Sequence, residues 1–356
     1  VEGEKYEGKL LTKEEARAIY LFPTKALSQD QVKELTELLL LLNEDTLCYT
    51  YDGDTPRDWR KEIKRRARIV VTNPDMLHKG ILPHHTRWVS LFRNLRYVVV
   101  DEIHVYRGIF GSHVANLMRR LKRISRHYGS EPIFVATSAT IANPGELAEK
   151  LLEPPFSVIR ESGAPRGRKY FVFWNPPVVE NTLGLRKNPL EEAEILGKKL
   201  VKENLQGIVF ARSRIQVEVL SKKLKDHFET RPDKVGKIRG YRGGYLPRER
   251  REIEAALRKG EVDLVVSTNA LELGVDIGSL DFAILAGYPG TIASTWQEIG
   301  RAGRRERESL AFFIASGNPL DQFLVKHPDF FLAQSPETVS YTHLRAHETR
   351  HDLVCR

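Results

Sequence analysis

The sequence predicts an α/β protein of two tandem domains, each a parallel sheet wound on both sides by helices. Strand and helix patterns alternate along nearly the whole chain, the repetition that builds parallel sheets. One strand, Val98-Val99-Val100, is an unbroken β-branched run with no polar alternation, as expected of a strand buried on both faces. The alternation breaks once, between residues 161 and 190, and then resumes.

In the first domain, strands are expected at 18–22, 46–51, 68–72, 95–101, 133–137 and 156–160, with helices over 25–42, 57–66 and 113–128. Gly163-Ala164-Pro165-Arg166-Gly167 and Asn175-Pro176-Pro177 mark the boundary. The domains are therefore 1–160 and 161–335, a strand at 170–173 already belonging to the second. Further strands are expected at 207–211, 237–241, 263–267, 282–285 and 310–315, with helices between them, including 247–259 and 294–303. The gap between two such domains is the expected place for a nucleotide.

The 356 residues, 41% of them hydrophobic, suffice for two cores. Lys and Arg total 56 against 47 Asp and Glu, a net +9 that suits a polyanionic partner. Cys48 and Cys355 allow neither a disulfide framework nor a four-ligand zinc site, so a reducing cytoplasm is expected. No secretory signal is apparent, and the leucine run 38–42 is too short to span a bilayer, so no membrane partner is expected.

Both ends carry decoys. The stretch from Val339 onward resembles an in-frame translation of a sequencing-library adapter, and 339–356 is excluded from the fold on that reading. With it goes His347-Glu348-Thr349-Arg350-His351, which fits the HExxH zinc pattern but has only five residues after it. Near the start, Gly3-Glu4-Lys5-Tyr6-Glu7-Gly8-Lys9-Leu10 follows phosphate-loop spacing up to its last position. That position needs a hydroxyl for Mg²⁺ and holds Leu10, so a charged surface loop is expected.

The chemistry concentrates at strand ends, where ligands of parallel sheets bind. In order these stretches are Phe22-Pro23-Thr24-Lys25-Ala26-Leu27, Thr72-Asn73-Pro74-Asp75-Met76-Leu77, Asp101-Glu102-Ile103-His104 and Ser138-Ala139-Thr140. Phe210-Ala211-Arg212-Ser213, the run 267–276 and Gln297-Glu298-Ile299-Gly300-Arg301-Ala302-Gly303-Arg304 follow in the second domain. Adjacent carboxylates at a strand end can hold Mg²⁺ on a nucleotide and polarise a water. Arg301 and Arg304, three apart on one helix, would share a face and both reach a γ-phosphate, with Gln297 one turn back. The segment 57–68 carries seven basic and two acidic residues and reads as a solvated face, with Trp59 its lone aromatic.

These seven stretches resemble motifs Ia, Ib, II, III, IV, V and VI of the superfamily 2 helicases, over about residues 15–335. DEIHVYRGIFGSHVA at 101–115 and TSATIANP at 137–144, with Phe173-Trp174-Asn175-Pro176-Pro177 and Pro319-Leu320-Asp321-Gln322, narrow the resemblance to the mitomycin-repair type of DNA helicase. That type is related to fungal and plant repair helicases of the RecQ-four kind. The resemblance implies two RecA-like domains, ATP and Mg²⁺ as cofactors, and a DNA strand or fork held by its phosphates and tracked 3′ to 5′.

It also implies roles. Asp101 would bind the metal and Glu102 the attacking water, with Gln297, Arg301 and Arg304 at the γ-phosphate. Gly274 and Asp276 would complete the nucleotide site. His104, Ser138, Ala139 and Thr140 would couple that site to the strand, and Thr24, Lys25, Thr72, Arg212 and Thr268 would contact phosphates. There are two departures from the family. Its phosphate loop, motif I, is absent and should lie upstream of Val1, and no counterpart of its C-terminal zinc domain is seen. The chain alone is therefore expected to be inactive on ATP and to hold no zinc. A duplex translocase, an RNA helicase or a non-catalytic nucleic-acid-binding protein are the alternatives, and intact Asp101, Glu102, Arg301 and Arg304 count against the last.

Overall fold

Apolar β-branched runs joined by helices cannot pair as hairpins; each helix carries the chain back so that the next strand lies parallel. The computed structural model, which describes residues 16–41, 47–138, 141–161, 163, 167–180, 184–229, 236–272, 277–278, 280–303 and 307–333, shows this twice. It divides into two compact units between Ile159 and Arg160.

The first unit comprises β1 (Arg17–Leu21), α1 (Lys25–Leu41), β2 (Cys48–Thr50), α2 (Arg57–Arg66), β3 (Ile69–Thr72), β4 (Leu95–Val100), α3 (Gly108–His127), β5 (Ile133–Ala136) and α4 (Pro144–Leu152). Its sheet runs β2-β3-β1-β4-β5, with every pair parallel. The chain fills one side of β1 with β3 and β2, then crosses to place β4 on the other. The switch of direction therefore lies between β1 and β4, and the loops after them share one crevice.

Ile19, Leu21, Val98 and Val100 are fully buried in a core with Val114, Met118 and Leu121 of α3. On the opposite face, Phe22, Leu27 and Val71 pack together with Val32 and Leu35 of α1. That cover does not extend to β4 and β5 among the described residues: Tyr97 is 48% exposed, Ile133 61% and Val135 42%. The expectation of burial on both faces of β4 thus holds for one face only. The expected strand at 156–160 is also absent. Among the described strands β5 is the edge of the sheet, and Ile159, left unpaired, is 91% exposed.

The second unit contains β6 (Lys169–Trp174), β7 (Val178–Glu180), β8 (Leu185–Arg186), α5 (Pro189–Lys202), β9 (Gly207–Phe210), α6 (Arg214–Phe228), β10 (Ile238–Tyr241), α7 (Pro247–Arg258), β11 (Leu264–Ser267), β12 (Phe282–Ala286), α8 (Ile292–Ile299), β13 (Ser309–Ile314), α9 (Pro319–Lys326) and α10 (Pro328–Ala333). Six parallel strands form the sheet in the order β10-β11-β9-β12-β13-β6. Every residue of β9, β11 and β12 is buried, as their unbroken apolar runs require. A small antiparallel pair, β7 and β8, stands apart from it.

Candidate active site and nucleic-acid interface

β4 delivers Asp101 and Glu102 to the carboxyl edge of the first sheet. The Asp101 N–H still donates to Leu21 O of β1 at 2.9 Å, so the first carboxylate is held in the sheet's register. Glu102 then turns the chain away with φ 52° and ψ 48°, a left-handed conformation that costs a non-glycine residue about 1–2 kcal/mol. The Ile103 N–H donates to Thr137 O at 2.9 Å, and its side chain is buried.

One further side chain ties the pair together. The Thr137 hydroxyl donates to Asp101 Oδ1, and Thr137 Oγ1 in turn accepts the Glu102 N–H at 3.3 Å. Thr137 follows β5, the strand paired with β4, which is why it can reach both. Sequence reasoning passed over it for its neighbours. Of those, Ser138 is half-buried with its hydroxyl unpartnered among the described residues, while Ala139 and Thr140 lie outside them.

His104 Nδ1 lies 3.2 Å from Glu102 Oε2. Burial and the charge of Arg107 lower the imidazole pKa to about 4. At neutral pH the ring is therefore uncharged, and the contact is a hydrogen bond from Nδ1–H into the carboxylate rather than an ion pair. Tyr106 is fully buried, its hydroxyl without a partner among the described residues, and burial with the nearby Asp101 and Glu102 charges keeps it a neutral phenol.

Asp101 Oδ2 has no hydrogen-bond partner among the described residues, and no group of three His, Cys, Asp or Glu there could hold a metal alone. Such a site fits Mg²⁺, which takes one or two carboxylates plus water and substrate phosphates.

The expected strand contacts divide. Thr24 is exposed and caps α1, its oxygen accepting the Leu27 N–H at 3.5 Å. Lys25 begins α1, but its side chain lies outside the described residues. Thr72 is fully buried, and its hydroxyl donates to Tyr51 O at 2.7 Å. β3 sits beside β2, and the hydroxyl ties their ends together, a use that competes with the expected phosphate contact.

In the second unit, Arg212 follows β9 and gives both guanidinium nitrogens to Glu298, at 3.1 and 2.7 Å. Glu298 is 1% exposed, and burial raises its pKa to about 7 despite the opposing pull of Arg212. The arginine fork is thereby engaged by α8. Arg212, Ser213, Thr268 and Asn269 line a polar recess of about 400 Å³. Thr268 accepts the Ala270 N–H at 3.4 Å, and its hydroxyl hydrogen has no acceptor among the described residues.

Helix α8 ends at Ile299, short of the expected 303, so Arg301 does not lie on it. Gly303 takes φ 72°, and a Cβ there would sit 2.2 Å from Ser309 Oγ. This backbone turns away from the helix and admits no side chain. Arg301 is buried, with Nη2 donating to Glu272 O at 2.5 Å. Arg304, Gly274 and Asp276 lie outside the described residues, and with Arg304 the expected face shared with Arg301; Gln297 is half-buried on the last turn of α8.

Comparison with known proteins agrees with this geometry. The DEAD/DEAH box helicase family matches residues 7–147, and the helicase conserved C-terminal domain matches 191–306. The chain belongs to the superfamily 2 helicases. It is 55% identical over 324 residues to YprA of Bacillus subtilis, described as an uncharacterized ATP-dependent helicase, covering 90% of this chain and 43% of that one. The ATP-dependent helicase hrq1 of Schizosaccharomyces pombe is 42% identical over 327 residues, covering 90% and 31%. The crystal structure of the DUF1998 helicase MrfA bound to DNA and AMPPNP superposes with a TM-score of 0.88 at 54% identity, covering 93% of this chain and 46% of that one. The chain thus spans less than half the length of these relatives. Among the described residues no helix is long and apolar enough to cross a membrane.

Proposed function

We propose that this chain is the motor core of an ATP-dependent DNA helicase that moves 3′ to 5′ along one strand and serves DNA repair in the cytoplasm. The observation that carries the reading is Asp101 and Glu102 at the carboxyl end of β4 with Thr137 bonded to both residues. Asp101 would hold the Mg²⁺ that accompanies ATP, and Glu102 would orient or deprotonate the attacking water. Gln297, Arg301 and Arg304 act on the γ-phosphate, and Gly274 and Asp276 contact the nucleotide. His104, Ser138, Ala139 and Thr140 relay the state of that site to the strand. Thr24, Lys25 and Thr268 hold a single strand or fork by its phosphates. Relatives described as ATP-dependent helicases, and a MrfA structure with DNA and AMPPNP, support the reading. Residues 1–160 and 161–335 are the two RecA-like domains, and 339–356 an adapter-derived tail without zinc.

The test is strand displacement on 3′-tailed and 5′-tailed duplexes. It uses the chain joined to a GxxxxGK[ST] segment, which its own sequence does not hold. ATP-dependent unwinding of the 3′-tailed duplex is expected, with Asp101→Asn and Glu102→Gln abolishing it while binding to single strands persists. Undiminished turnover in Glu102→Gln overturns the catalytic assignment, and unwinding confined to 5′ tails overturns the polarity.

A further inference from the structure

The first turn of α3 shows two large apolar side chains to solvent, Ile109 at 60% and Phe110 at 45% exposure. Neither contributes to the core, and no role assigned above uses them. Phe110 is nevertheless not loose. Its ring packs against the fully buried Tyr106 at 5.5 Å between centroids and 54° between planes, so one side is braced and the other left open.

That open ring borders a recess of about 270 Å³, lined also by Pro23, Asn73, Asp75, Met76 and Lys79. Pro23 immediately precedes Thr24, so the recess adjoins the loop through which the first unit is proposed to grip a strand. Its lining separates two ligand chemistries. Pro23, Met76 and Phe110 offer apolar and aromatic surface, and the exposed carboxylate of Asp75 repels phosphate while accepting from an exocyclic amino group. Asn73 Oδ1 accepts the Met76 N–H at 2.9 Å, so what its side chain can give a ligand is its amino group. Lys79, exposed at the edge, suits a flanking phosphate.

We infer that this recess takes one unstacked base of the bound strand, stacked on Phe110. The inference rests on the proposed strand-binding function and adds to it a base contact, where the assigned contacts are to backbone. Stacking on a braced ring tolerates any base, because every base has a π-face, which suits a motor that must pass all sequences.

The experiment measures binding of the 356-residue chain to a single-stranded oligonucleotide by fluorescence anisotropy, with 2-aminopurine placed at successive positions. One position is expected to be quenched on binding. Phe110→Ala should abolish that quenching and weaken binding roughly 5-fold or more, the least that stacking of one base supplies, while Phe110→Trp retains both. A strand abasic at the quenched position should bind the unaltered chain about as weakly as Phe110→Ala binds the intact strand, a comparison that does not depend on how any variant folds. If the unaltered chain binds no single strand, the proposed function falls and this inference with it. Binding of the intact strand that neither Phe110→Ala nor the abasic site weakens overturns the base site alone.

Discussion

Glu298, buried on the last turn of α8, holds Arg212 by both guanidinium nitrogens at 3.1 and 2.7 Å. The pair joins the loop after β9 to the helix that precedes Arg301. Glu298→Ala leaves the arginine facing a void. Breaking a fully enclosed pair costs about 3–5 kcal/mol; because the Arg212 side chain is 28% exposed, the expected loss is about 2–3 kcal/mol. Urea unfolding of the variant checks it, and a loss below about 0.5 kcal/mol, the level of ordinary surface changes, would contradict the pairing.

The same carboxylate gives stability a pH dependence. Its folded pKa of about 7 lies above the ordinary carboxylate value of 4.5, so between those values the folded chain keeps a proton that the unfolded chain has lost. This contribution is fully present below about pH 4.5 and is lost as pH rises through 7. Glu298→Gln should remove the downward slope, making the variant's disadvantage smaller at pH 8 than at pH 5. His104, whose folded pKa is lowered to about 4, contributes the opposite slope, rising from about pH 4 to 6.5. Unfolding free energies of both proteins at the two pH values separate the terms, and a constant difference would remove Glu298 as their source.

Thr137 fixes the Asp101 carboxylate and the Glu102 backbone through a single hydroxyl. Thr137→Val keeps the shape of the side chain and removes both bonds, while Thr137→Ser keeps them. Displacement of a catalytic group by about 1 Å costs on the order of 100-fold in rate. ATP turnover in the loop-completed chain should fall by at least 10-fold in Thr137→Val and recover in Thr137→Ser. Equal turnover in all three proteins excludes a positioning role.

Thr72 separates structural from binding hydroxyls. Its buried O–H donates to Tyr51 O, so Thr72→Val leaves that carbonyl short of a partner and should cost about 1–2 kcal/mol of stability. Single-strand affinity, measured where both proteins are folded, should stay within twofold of the parent. A large loss of affinity at unchanged stability would restore the phosphate contact expected from its place in the sequence.

The parallel strands are legible because β-branched runs between helices have few other uses. β1, β3, β4, β9, β11 and β12 all fall within a residue of their expected bounds. The carboxylate pair is legible because phosphoryl chemistry restricts residue types severely. What escapes is whatever depends on neighbouring strands or distant partners. Residues 156–160 carry the Phe, Val and Ile of a strand, but no pattern shows whether a partner waits for them. Thr72 looks like a surface hydroxyl until β2 is placed beside β3, and Thr137 looks incidental until β5 is placed beside β4. Arg212 suggests a phosphate contact because its carboxylate lies 86 residues further along the chain.

The left-handed backbone at Glu102 gives that position two opposing scales of fitness. A screen of all substitutions read by folding should favour Gly, Asn and Asp, which tolerate positive φ, and reject Val and Ile, whose branched side chains do not. A screen read by ATP turnover should rank the same library by its ability to carry a carboxylate to the attacking water. Glycine, near the top of the first order, belongs at the bottom of the second. The disagreement between the two orders would measure how far the demands of chemistry, rather than of folding, keep glutamate at position 102.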